Sequence, residues 1–170
     1  MSKTAAVVLA LLSLMLFPTK STAQLIQSGN IYAGVAYADS VDVVNRLTFR
    51  GWDGSVEVKP FRHYPWLGAV LDGSGLYRPG VQQYNLVLGP RISMSYGKWR
   101  PFVHATGGIQ QTNSSGATFH PVLIDIGGGV DRRIPFKRFS WRLQFDYVHS
   151  HFLSAEQNDY RGSTGLVWRF

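Results

Sequence analysis

The fold class this sequence predicts is all-β: an eight-stranded antiparallel up-and-down transmembrane β-barrel. Three observations predict it. Apolar and polar side chains alternate with period two, in stretches of about ten residues separated by turn residues. One of the two alternating faces carries most of the Trp, Tyr and Phe, while the other carries the charges. Helix signals do not compete, because the chain has 18 Gly and little of the Ala-Glu-Lys-Leu mixture that long helices use.

The clearest strand is the last. Tyr160, Gly162, Thr164, Leu166, Trp168 and Phe170 share one face, and Arg161, Ser163, Gly165, Val167 and Arg169 share the other. Before it, Trp141, Leu143, Phe145 and Tyr147 alternate with Arg142, Gln144 and Asp146. Val122, Ile124, Ile126 and Val130 alternate with Asp125 and Asp131. Val103, Ala105 and Ile109 alternate with His104, Thr106 and Gln110. Tyr84, Leu86, Leu88, Ile92 and Met94 alternate with Asn85, Arg91, Ser93 and Ser95. Trp52, Val56 and Val58 alternate with Asp53, Ser55 and Glu57. Two weaker segments, Asn30–Ala38 and Trp66–Tyr77, complete the set. The expected strands are 30–38, 48–59, 65–77, 82–95, 100–111, 121–132, 139–150 and 159–170. Pro60–Tyr64, Gly97–Trp99 and Arg133–Lys137 are read as short turns. Asp39–Leu47 and Thr112–His120 are read as longer polar loops on the opposite side, with both termini on the short-turn side.

The start of the chain reads as a secretory signal peptide. Met1-Ser2-Lys3 is positive, Ala5 to Phe17 is apolar, Pro18 breaks the run, and small residues precede a cleavage site after Ala23. Residues 1–23 are therefore expected to be removed, leaving 24–170 as one barrel domain. After Ala23 no apolar stretch is long enough for a membrane helix. A membrane-resident form must then be a closed barrel, because strands in lipid have to pair every backbone group. The chain has 17 basic and 10 acidic residues. With export expected and no basic run longer than a pair, nucleic acid is not an expected partner. The absence of Cys excludes disulfides and thiolate metal sites.

The charged face implies a polar filling. Its acids are Asp53, Glu57, Asp72, Asp125, Asp131 and Asp146; its bases are Arg91, Arg142, Arg161 and Arg169, with His104 beside them. An eight-stranded barrel is only wide enough for side chains to fill. The charges are expected to pair, because unpaired charges there would be costly. Trp66, Tyr96, Trp99, Phe102, Phe136, Phe139, Trp141, Trp168 and Phe170 are expected as one interfacial girdle. Tyr77, Tyr84, Tyr147 and Tyr160 are expected as the other.

Several segments carry a likeness. Gly51-Trp52-Asp53-Gly54-Ser55-Val56, Gly89-Pro90-Arg91-Ile92, Pro101-Phe102-Val103-His104-Ala105, Gly127-Gly128-Gly129-Val130-Asp131 and Ser163-Thr164-Gly165-Leu166-Val167-Trp168-Arg169-Phe170 stand in order along the chain. In them the chain resembles the small outer-membrane β-barrels whose type is the OmpA-like transmembrane barrel of the porin-like superfamily. The resemblance implies the outer membrane of a Gram-negative cell envelope, with outer-membrane lipid and lipopolysaccharide around the wall. It also implies recognition of the terminal Phe170 by the outer-membrane insertion machinery, and a monomer is expected. The peptidoglycan-binding domain of many such proteins has no counterpart after Phe170, so wall tethering is not expected.

The expected role is structural or surface-interacting, without a large pore. Two alternatives stand beside it. One is a barrel enzyme acting on lipid A or phospholipid, for which His149-Ser150-His151, Ser154, Glu156 and Asp159 are the only candidates. His149 and Ser150 are adjacent on a strand and point to opposite faces, and the His-x-Ser-Asn run of lipid A deacylase barrels is absent. The other is an exported soluble ligand-binding barrel of the lipocalin type, with apolar residues inside and polar outside. His149 and His151 share a face but lack a third metal ligand. Gly127-Gly128-Gly129 lacks a following helix and reads as room for curvature or close packing, not as a phosphate loop. No enzyme activity, catalytic residue, cofactor or metal site is expected.

Overall fold

The computed structural model describes residues 28–41, 46–61, 63–114, 117–152 and 155–170. The expected signal peptide, 1–23, lies outside them. The strands are β1 (Ser28–Val41), β2 (Arg46–Lys59), β3 (Leu67–Arg78), β4 (Val81–Ser93), β5 (Trp99–Ser114), β6 (Ala117–Phe119), β7 (Val122–Arg133), β8 (Phe139–Phe152) and β9 (Ala155–Arg169). Each pairs antiparallel with its neighbours, and β1 pairs with β9 to shut the ring. β6 and β7 pair with β5 in one continuous register, Thr112 opposite Phe119 and Ile109 opposite Val122. They are one stave interrupted at His120-Pro121, where proline has no N–H to give the ladder. The wall thus has eight staves, all antiparallel, as the alternation predicts.

Ser28 and Phe170 lie at the same end: the Gly29 amide donates to the Phe170 carbonyl and the Phe170 amide to the Gly29 carbonyl, both at 3.1 Å. The opposite end is called the far end below. β3 and β4 join there through Pro79-Gly80; Pro79 presets its own φ and Gly80 takes a φ of 80° that a residue with a Cβ resists.

The far-end segments read as longer polar loops are mostly strand. β1 runs to Val41 and β2 begins at Arg46, while β5 reaches Ser114 and folds back on β6. Polar side chains do not end a hairpin, and the ladder continues past the apolar belt. The widest connections, 60–66, 94–98 and 134–138, lie at the termini end instead.

The wall is inside out relative to a soluble protein. Val35, Leu71, Leu86, Leu88, Ile109, Val122, Ile126 and Phe145 face outward and are exposed, whereas Asp53, Glu57, Asp125, Asp131, Arg91, Arg142 and Arg161 face inward and are buried. A continuous apolar belt of this kind suits acyl chains, not water. Trp66, Trp99, Phe136, Phe139, Trp141, Trp168 and Phe170 are exposed around the termini end, and Tyr77, Tyr147 and Tyr160 toward the far end. Tyr37 joins the second group. Phe102 does not belong to the first: it shares parity with His104, is 4% exposed, and lies in the bore. Leu88→Arg, in the belt, is expected to destabilise the folded barrel by about 2–4 kcal/mol in phospholipid vesicles. Urea titration measures it, and a loss no larger than that of Leu88→Ala would contradict a lipid-facing wall.

Candidate functional site

The alternation that greases the exterior places every second residue of eight staves in one narrow bore. At the termini end, β7 and β8 set Asp131 opposite Arg142. Arg142 donates from Nε to Asp131 Oδ1 at 2.7 Å and from Nη2 to Oδ2 at 3.1 Å, a bidentate pair. Its Nη1 and Nη2 also reach Ser55 Oγ and Asn30 Oδ1, both at 3.4 Å, across the bore. Arg169 Nη2 shares Asp131 at 3.3 Å. Asn30 donates to Glu57 Oε2 at 2.7 Å, and Arg91 lies 3.5 Å from that oxygen. Lys59 donates to Ser93 Oγ at 2.8 Å and to the Pro65 carbonyl at 2.5 Å.

One aromatic ring organises this layer. Phe102 lies between two guanidinium groups, Arg91 at 4.4 Å and Arg142 at 4.6 Å from its centroid. Tyr32 offers a second face to Arg142 at 4.8 Å. Rings of this kind hold cations where water is scarce.

The middle of the bore centres on Arg161, which β8 and β9 set opposite Asp146. Its Nε donates to Asp146 Oδ2 at 2.9 Å and its Nη1 to Ser74 Oγ at 2.9 Å. Its Nη2 donates to Asp125 Oδ2 at 2.8 Å and Asp72 Oδ1 at 3.3 Å. Gln144 Nε2 supports Asp146 Oδ2 at 2.9 Å. His104 Nε2 stands 3.3 Å from Asp146 Oδ1 and 3.6 Å from Asp125 Oδ1. Gly127 makes this approach feasible, because a Cβ there would collide with the Asp146 carboxylate. Gly129 likewise leaves room for the Phe102 ring. The close-packing reading of the triple glycine holds at both positions.

Toward the far end apolar clusters join the filling. Ala36, Ala38, Phe49 and Leu76 form one buried cluster with Leu47 and Val81 against it; Val87, Leu123 and Val148 form another. Neither cluster, nor the lumen position of Phe102, was in the sequence reading. The signal was present, since Phe49, Phe102 and Val148 share parity with Asp53, His104 and Asp146.

All the predicted inward charges lie in the bore and are buried or nearly so. Among the described residues the hydrolase candidates are not brought together. Ser150 is buried inside, whereas His149 sits on the other face with Nδ1 2.8 Å from Asn158 Oδ1. Asp159 is buried and accepts from Gln157 Nε2 at 3.0 and 3.1 Å. Ser154 and the Glu156 side chain lie outside the described residues.

No family model matches the sequence, and no curated protein does. Solved structures do share the fold. Neisserial surface protein A superposes with a TM-score of 0.70 at 11% identity, covering 84% of this chain and 97% of that one. The N-terminal β-barrel domain of Pseudomonas aeruginosa OprF gives 0.58 at 14%, covering 85% and 98%. Ail, the attachment invasion locus protein of Yersinia pestis, gives 0.54 at 14%, covering 84% and 98%. The fold is that of small eight-stranded outer-membrane barrels.

Proposed function

We propose that this chain resides in the bacterial outer membrane as a structural or surface-interaction barrel, and that it is not a wide diffusion pore. One observation carries the reading: the bore is crossed by buried Arg91, Arg142 and Arg161, each tied to carboxylates, and backed by apolar clusters toward the far end. The exposed apolar belt and the two aromatic zones support immersion in outer-membrane lipid, with lipopolysaccharide on one side. They oppose a lipocalin-type soluble barrel, whose apolar residues would point inward. Export by a signal peptide cleaved after Ala23 belongs to the same reading. So does recognition of Phe170, which is exposed and packs its ring against Trp168 at 5.5 Å. The far-end hairpins, β5 with β6 above all, extend beyond the belt and are the surface offered to a partner.

The test is conductance. The mature barrel in planar lipid bilayers is expected to show no large, long-lived channel. A stable conductance on the scale of a water-filled porin would overturn the reading. Recovery of the protein with the outer-membrane fraction, as a heat-modifiable band on gels, is the expected companion result.

A further inference from the structure

We propose that His104, Asp125 and Asp146 form a binding site for one borderline transition-metal dication, Zn2+ or a close analogue, inside the bore. The geometry comes first. His104 Nε2, Asp125 Oδ1 and Asp146 Oδ1 face one another, with Nε2 at 3.6 and 3.3 Å from the two oxygens and all three ligand atoms within 4.8 Å. Ligands bound to zinc at about 2.0–2.1 Å in a tetrahedron stand about 3.4 Å apart. The two separations from Nε2 thus match those of bound ligands before any ion enters.

The carboxylates are also held as ligands are held. Each uses its Oδ2 to accept from Arg161, at 2.8 and 2.9 Å, and Gln144 adds a bond to Asp146 Oδ2. That fixes the outer oxygens from behind and turns the inner ones toward His104, as outer partners do around bound metals. The inner oxygens face His104 Nε2. Asp125 is 1% and Asp146 4% exposed, yet apart from that imidazole nitrogen neither Oδ1 has a hydrogen-bond donor among the described residues. A buried carboxylate oxygen without a donor is costly, and a cation at this point would relieve both at once.

Local charge points the same way. Asp72, Asp125 and Asp146 all share the single guanidinium of Arg161. Asp53 is 1% exposed, and neither of its oxygens has a hydrogen bond among the described residues. The chemical class follows from the donors. One imidazole with two carboxylates suits zinc and its neighbours, whereas Ca2+ and Mg2+ require more oxygens or retained water. Three protein ligands leave a position for water. The pair His149 and His151, to which sequence alone directs attention, has no such set around it among the described residues.

The rival occupant is a proton on His104, which would make an imidazolium between the same carboxylates. Co2+ distinguishes the two. The full barrel, folded in detergent micelles and also refolded with CoCl2 present, is expected to take up one Co2+ per chain and to show the visible absorption of tetrahedral cobalt. Zn2+ should displace it and Mg2+ should not. The bands should vanish in His104→Ala and in Asp146→Asn, with folding checked by heat-modifiable migration, and persist in the His149→Ala/His151→Ala double variant. Should either bore variant fail to fold, the wild-type protein still decides: the urea midpoint is expected to rise with Zn2+ and stay unchanged with Mg2+. Absence of cobalt bands from the folded wild-type barrel, or their loss in the double variant, would sink the proposal in favour of the proton.

Discussion

Arg161→Met is expected to lower the stability of the folded barrel by about 3–5 kcal/mol, the range for removing one partner from a buried charge cluster. The substitution keeps much of the side-chain volume but strands Asp72, Asp125 and Asp146, all of which bond to this one guanidinium. It also takes the donor from Ser74 Oγ. Arg161→Lys should recover only part of the loss, because a compact ammonium does not span three carboxylates and a hydroxyl as a planar fork does. Urea titration in phospholipid vesicles, followed by tryptophan fluorescence, gives the number. A loss under about 1 kcal/mol, the ceiling for exposed pairs, would mean that water reaches this layer freely.

Phe102→Ala is expected to cost a similar amount, about 3–5 kcal/mol, as for other buried Phe→Ala changes. The ring fills the bore between Arg91 and Arg142. Its loss opens a void and also removes a neutral face against which both cations rest. Phe139→Ala is the comparison, since Phe139 belongs to the exposed aromatic zone at the same end. Had Phe102 been a girdle residue, as its place near a strand end suggests, the two substitutions would cost alike. Equal losses would therefore restore the girdle assignment.

The contrast between these two phenylalanines shows what the sequence makes legible. Parity along a strand is local and exact in period, so the inward acids and bases could be named from the sequence. Phe102 departs from its expected girdle place because parity, not position along the strand, decides which face a side chain takes. Loop length departs from expectation for a different reason. Polarity in Asp39–Leu47 and Thr112–His120 says where the apolar belt ends but not where pairing ends, and the ladder goes on beyond it. The site was legible only as a list of charges. Which charge meets which depends on register and on contacts across the bore, such as Arg161 with Asp72, 89 residues apart. Nothing local encodes that distance. The convergence of His104 with Asp125 and Asp146 from three staves is hidden for the same reason.

The pairing of Asp131 with Arg142 and of Asp146 with Arg161 has a bearing on assembly order. Arg142 on β8 faces Asp131 on β7, and Arg161 on β9 faces Asp146 on β8, so these hairpins bring two buried charges together with their counter-ions. β2 and β3 do not: Asp53 and Asp72 face inward without a cation on either strand at their level, and the guanidinium that meets Asp72 stands on β9. β7, β8 and β9 thus hold these two pairs among themselves, whereas Asp72 of the β2–β3 hairpin takes its cation from β9. Asp72 on β3 gains its guanidinium only from the strand that closes the ring on β1, so that closure brings an ion pair across the bore as well as backbone pairing.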